Sequence, residues 1–159
     1  MKGTKMDTEQ AIRDYLPDIL HMSLATSRDN RPWVCEVHFA YDSNLNLYFR
    51  SLLSRRHSQD IQINPNVAGN IVTQHSLNQK VRAVYFEGIA SVLNADKDIK
   101  MAFECLKARF HLKEEVLSEA SSEEGHKIFK VNVKNFYVFD GRDSNPAQKY
   151  ELPWHGDNI

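Results

Sequence analysis

The segment over residues 47–66, LYFRSLLSRRHSQDIQINPN, concentrates the residue types that handle anions. It reads as a strand that passes through a short connection into a helix ending before Pro65. Ser54 is a good N-cap, which puts Arg55, Arg56 and His57 in the first turn of that helix. Helix N-termini carry roughly half a positive charge and favour Asp or Glu, each by ~0.3 to 1 kcal/mol, so basic-capable residues gathered there repel it. A bound anion reverses the sign. Free backbone N–H groups, the Ser54 hydroxyl and two guanidinium forks then make a phosphate clamp, which Arg50 at the strand end can join. The alternative is that Arg55 and Arg56 point to water or pair with Asp60, as surface charges commonly do with little effect on stability.

Other reactive residue types form no comparable group. The seven histidines include no HExxH motif and no close pair, and His21, His75, His111 and His126 fall near element ends, so no metal site is expected. His38 lies on the strand face opposite Trp33 and Phe39, where it serves as a groove or wall residue. Cys35 alternates in phase with Val37 and Phe39, and Cys105 sits beside Leu106 on a helix, so both read as small core residues. Neither cysteine belongs to a CxxC pair or a zinc spacing, which favours a reduced, cytoplasmic protein. There is no Ser-His-Asp arrangement, glycine-rich phosphate loop or carboxylate pair, and no catalytic residue is assigned.

The elements that must position the basic cluster follow from hydrophobic period. Asp7, with Gln10 three residues on, resembles a capping box, and Ala11, Ile12, Tyr15 and Leu16 share one face of a short helix that ends at Pro17. A first strand over 22–27 leads through the turn residues 28–32 into a return strand. That strand places Trp33, Cys35, Val37, Phe39 and Tyr41 on one face, expected to be core, against Val34, Glu36, His38 and Ala40 on the other. Further strands are expected over 47–51, 67–73, 80–93 and 128–139, the fifth with Gly88 as a bulge where a barrel bends. Between the last two, Ile99, Ala102, Phe103, Leu106 and Phe110 mark an amphipathic helix, a shorter piece spans 112–117, and 118–125 is a polar loop. Residues 140–159 lack a period and read as a tail, ordered where it packs on something.

With 159 residues, 42% apolar and 26% charged, the chain fits one domain, 1–159, large enough to bury a core without disulfides. Its 20 Lys and Arg stand against 21 Asp and Glu, which excludes a bulk positive field for nucleic acid or anionic lipid. Residues 1–10 have no apolar signal core, and no stretch reaches the ~18 apolar residues that span a bilayer. Neither export nor membrane insertion is expected.

These motifs, taken in order, resemble the FMN-binding split barrels related to pyridoxamine 5'-phosphate oxidase. The likeness is carried by Met22-Ser-Leu-Ala-Thr26, Arg31-Pro32, Val37-His-Phe-Ala-Tyr41, Leu47-Tyr-Phe49, Ser54-Arg-Arg-His57 and Asn64-Pro65, and in weaker form by Glu87-Gly88 and the last strand. It implies a mainly β (α+β) fold, a six-stranded antiparallel split β-barrel with flanking helices. It also implies FMN as cofactor, with its phosphate on Ser54, Arg55 and Arg56 and its ring beside Val37, His38 and Phe39. Phe49, Arg50, Ser51 and His57 stand close to the cofactor in the same comparison. Arg56 stands where the family commonly has Lys, and both bind anions. Cys35 and Ala40 replace the Arg and Lys expected of the vitamin oxidase itself, so the likeness points to the uncharacterised branch, with its FMN reductases, stress proteins and haem-handling relatives. The resemblance implies a homodimer with flavin at the subunit interface, acting as an FMN-dependent oxidoreductase on a small-molecule substrate or electron donor. A flavin or haem carrier or sensor on the same barrel is the alternative, and a deazaflavin would suit the same clamp. Trp154 is a candidate ring neighbour on the partner's flavin or a tail anchor, and His155 a candidate haem ligand.

Overall fold

The computed structural model describes residues 7–142 and 146–154 of the chain. The first helix, α1 (Thr8–Tyr15), begins where Asp7 accepts a hydrogen bond from the Gln10 amide at 3.1 Å. The Gln10 side chain reaches forward to Asp14, so only the N-cap half of the box forms. A single 3-10 turn over Leu16–Asp18 then hands the chain to the sheet.

Strands β1 (His21–Arg28) and β2 (Arg31–His38) form an antiparallel hairpin around Asp29 and Asn30, whose φ values of 51° and 58° give the two-residue turn that matches strand twist. After β2 the strand breaks at Phe39, whose N–H donates to the Leu20 carbonyl at 3.1 Å, and β3 (Ala40–Tyr41) resumes beside β4 (Leu47–Ser51). The expected core face of the return strand is therefore half formed. Val37 and Phe39 are buried and Cys35 half-buried, but Trp33 lies at 40% exposure because this end of β2 overhangs the core.

Helix α2 (Arg56–Ile63) and β5 (Asn66–Ile71) lead to the long strand β6 (Arg82–Val92), whose register on β7 (Lys127–Asp140) shifts between Glu87 and Gly88. The irregularity falls where the sequence reading puts it, but Glu87 pairs with Asn135 and Gly88 with Val133, so the extra residue is Lys134 of β7 and not the glycine. Between them lie α3 (Asp96–Phe110) and α4 (Glu115–Ser121). The second of these runs through the first half of the expected polar loop, with Ala120 buried against α3. The expected structureless tail contains β8 (Gln148–Pro153), which pairs with β7 from Asn135↔Pro153 to Asp140↔Gln148.

Among the described residues one sheet holds all eight strands in the order β2-β1-β5-β6-β7-β4-β3, with β8 on β7, and curls into a mainly β antiparallel split barrel flanked by four helices. The count exceeds six because the return strand is broken and the tail adds a strand. The principal core lies inside the curl, around Met22, Leu24, Phe49, Phe86, Phe129 and Phe136. A second cluster packs α3 and α4 on Tyr48 and Ile128. Among the described residues no helix is long and apolar enough to cross a membrane.

Gly69 shows how tightly the sheet is fitted. It pairs with Phe86, and a Cβ built there would stand 2.3 Å from the Ser23 carbonyl and 2.4 Å from the Phe86 ring. The ring can turn aside but the β1 backbone cannot. Gly69→Ala is therefore expected to destabilise the fold by about 1 to 3 kcal/mol, read as a lowered midpoint in thermal or urea unfolding.

Candidate functional site

The end of β4, its connection and the start of α2 bring Arg50, Ser51, Arg55 and His57 to one wall of a cleft of about 620 Å³. Val37 and His38 of β2 form the sheet side. Leu106 and Phe110 of α3, with Leu112 just beyond it, form an apolar wall. The cleft thus has a cationic end and an apolar side.

The helix start differs from the sequence expectation. Arg55, with φ −71° and ψ 146°, is the N-cap, and its carbonyl accepts the first helical bond from Gln59 at 3.0 Å. Ser54 lies before the helix, exposed and away from the cleft, because the Arg55 N–H turns back to the Leu52 carbonyl at 3.2 Å and places the cap one residue later.

Arg56 also leaves the cleft. Its Nε lies 3.7 Å from Asp60 Oδ2, and its guanidinium covers the Trp33 ring at 4.5 Å. Asp60, with a side chain only 1% exposed, takes a hydrogen bond from Thr26 Oγ1 at 2.9 Å and meets Arg28 Nε at 3.3 Å. A buried carboxylate demands such partners, so Arg56 serves the joint between α2 and the β1–β2 hairpin. The sequence alternative, pairing with Asp60, holds for Arg56 and not for Arg55, which makes no ion pair among the described residues.

Arg50 projects into the cleft held by Glu119 of α4 at 2.7 Å, and Glu119 in turn lies 3.4 Å from His126 Nδ1. Ser58 donates to Ser51 Oγ at 3.0 Å, and Ser51 Oγ shares a hydrogen bond with His57 Nε2 at 2.8 Å. Burial holds the His57 imidazole below its ordinary protonation range, the Arg55 cation pushes the same way, and Asp60 opposes them.

Phe39 and Phe49 are fully buried and stand behind the walls. Phe49 stacks on Phe129 at 4.9 Å, with its ring 6.2 Å from His57, and Arg109 covers Phe39 at 5.2 Å. Trp154 is elsewhere: its Nε1–H donates to the Asn44 carbonyl at 2.8 Å and its ring meets Phe136 edge-on at 6.1 Å, so it fastens the end of β8 near α1. His155 lies outside the described residues.

Sequence reasoning had not assigned Leu106, Phe110, Leu112, Glu119 and His126 to the site. Leu106 and Phe110 were visible as one face of a helix, a signal that core packing explains equally well. Glu119 and His126 carry no local signal, since only the fold brings them to Arg50.

No protein-family model matches the chain. A UPF0306 protein of Photorhabdus laumondii is 27% identical over 90 residues, which cover 56% of this chain and 63% of that protein, under two thirds of its length. Among solved structures, HutZ, the heme storage protein from Vibrio cholerae, is similar with a TM-score of 0.69 at 19% identity, over 86% of this chain and 96% of that one. A heme binding protein from Mycobacterium smegmatis gives a TM-score of 0.72 at 12% identity, over 94% of this chain and 59% of that one. At these identities the likeness is one of fold.

The depressed protonation of His57 has a sign that can be measured. The unfolded chain takes up the proton near pH ~6.5 while the folded chain resists it to lower pH, so this stability is complete above that value and declines as pH falls below it. Urea unfolding at pH 7.5 and 5.5 should therefore show a smaller loss on acidification in His57→Gln than in the wild-type chain. An equal loss in both would remove His57 from the acid response.

Proposed function

We propose that this chain binds FMN in the cleft and is an FMN-dependent oxidoreductase of the pyridoxamine 5'-phosphate oxidase-like group. The observation that carries the reading is Arg55, an exposed guanidinium without an acidic partner among the described residues, beside Arg50 at one end of a cleft whose other side is apolar. A flavin nucleotide has that polarity, with a phosphate dianion at one end and a flat aromatic ring at the other. The residues present suit it. Arg55 and the backbone N–H groups opening α2 would hold the phosphate, with Arg50 exchanging Glu119 for it. Val37, His38 and Phe110 would flank the ring and exclude water from it.

When bound, the flavin supplies hydride or electron transfer, and the chain supplies position and field. Arg55 and Arg50 set the depth of the phosphate, and the buried Ser58–Ser51–His57 chain keeps the wall between them rigid. A homodimer with the cleft near its interface belongs to the same reading, supported by the exposed apolar side chains Trp33 and Val34 on β2.

A second reading is a haem carrier or sensor on this barrel, supported by HutZ and the mycobacterial heme binding protein among the similar structures and by the imidazole of His38 in the cleft wall. The same cations would meet the propionates.

Titration of the purified chain with FMN, followed by flavin fluorescence, tests the first reading. Arg55→Ala should weaken binding by about tenfold or more, since a hydrogen bond to a charged group contributes ~1.5 to 3 kcal/mol. Arg56→Ala should leave FMN affinity within about twofold while lowering stability through the loss of its contact with Asp60. Absence of FMN binding, or binding that depends on Arg56 and not on Arg55, would overturn the assignment. Reduction of the bound flavin by NADH or NADPH separates an enzyme from a carrier.

A further inference from the structure

Arg50 meets an anion of the chain's own. Its Nη2 donates to Glu119 Oε2 at 2.7 Å, with the Arg50 side chain 21% exposed and that of Glu119 44%. Glu119 is not among the residues that line the cleft, whereas Arg50 and His126 are, so the carboxylate draws Arg50 toward one side of it. The Glu119 backbone is fixed. Its carbonyl accepts the Ser122 N–H at 3.2 Å and the Ser122 hydroxyl at 3.1 Å, and a Cβ built on Gly125 would stand 2.0 Å from that oxygen, so the turn after α4 closes directly on it. Lys127 ties the end of α4 to the sheet by donating to the carbonyls of Ala120 at 3.1 Å and Ser122 at 2.6 Å, and its cross-strand partner is Ser51, next to Arg50. What can move is the Glu119 side chain. His126 Nδ1, 3.4 Å from the same oxygen, offers it a second partner.

We propose that Glu119 is a built-in competitor for the anion site of the cleft, an autoinhibitory carboxylate that a ligand's phosphate must displace from Arg50. This rests on the anion half of the flavin reading, a phosphate held by Arg50 and Arg55. Arg55 makes no ion pair among the described residues, so an incoming phosphate meets one available cation and one that is already neutralised. A phosphate dianion is matched by two guanidinium forks. To gain the second it must break the bond between Arg50 and Glu119, and the released carboxylate then repels the dianion unless it turns onto His126. The contact therefore lowers affinity for ligands that carry a phosphate. A ligand with no anion makes no demand on Arg50 and is unaffected. Filling of the cleft is thereby linked to the side-chain position of one residue near the end of α4.

The test compares the purified full chain with Glu119→Gln, which keeps the shape of the side chain and removes its charge. By flavin fluorescence, FMN should bind Glu119→Gln about two- to fivefold more tightly, the equivalent of one ion pair at this exposure. Riboflavin, which has the ring and lacks the phosphate, should bind both proteins equally. On an Arg50→Ala background the gain for FMN should be lost, because no contact remains to be broken. Inorganic pyrophosphate, an anion without the ring, is titrated in parallel by calorimetry and should show the same gain as FMN. Equal or weaker binding of FMN by Glu119→Gln, or a gain that riboflavin shares or that survives Arg50→Ala, would overturn the competitor and leave the flavin reading standing. If FMN binds neither protein the flavin reading falls and pyrophosphate decides. Tighter binding of pyrophosphate to Glu119→Gln then supports the competitor, and equal or absent binding overturns it.

Discussion

Asp60 is the point on which the arrangement of the cleft depends. A carboxylate buried to this degree demands compensation for its charge: Arg28 of the hairpin and Arg56 one helical turn away supply it and Thr26 donates to Oδ2, while the buried Oδ1 has no hydrogen-bond donor. The joint fixes the start of α2 relative to β1 and β2. Arg56 is thereby committed to structure, and its neighbour Arg55, in extended conformation at the cap, is left facing the cleft. Two adjacent residues of the same type thus have opposite duties, decided by a carboxylate four positions further on.

The sheet around this joint is organised by its two longest strands. β6 pairs with β5 on one edge and β7 on the other, and the bulge opposite Gly88, where Lys134 of β7 is left without a partner on β6, allows the pair to bend with only a local break in its ladder. β7 has β6 along one edge and, along the other, β4 on its first half and β8 on its second. The rigid platform beneath Arg50 and Ser51 is therefore β7, through Arg50↔Ile128 and Ser51↔Lys127.

Much of this was legible where the signal was local. The strand, connection and helix that carry Arg50, Ser51, Arg55 and His57 form one continuous segment, and its basic composition is legible without any tertiary contact. The Asp29-Asn30 turn is legible for the same reason, since it follows from the conformational freedom of two residues. What escaped depended on partners distant in the chain. Ser54 is the better cap by residue type and Arg55 makes no side-chain capping bond, yet the turn from Arg55 to Leu52 places the cap at Arg55. β8 offers only Tyr150 and Leu152 as an alternating apolar pair before Pro153, too short a pattern to distinguish from coil. Glu119 reads as one acid in a polar run, and its salt bridge to Arg50 exists only because α4 packs beside β4 and β7.

The edge that β4 shares with β8 bears on how the molecule is made. β4 carries the cationic end of the cleft, yet among the described residues its only ladder partner apart from the two-residue β3 is β7, which is synthesised well after it. Pairing between segments so far apart in the chain closes slowly, and until it does β4 leaves an unpaired apolar edge. During translation the basic cluster is consequently written early and becomes a competent pocket late. A nascent chain halted before β7 would hold the cations without the platform that gives them a geometry, and would be a substrate for chaperones before it could hold any ligand.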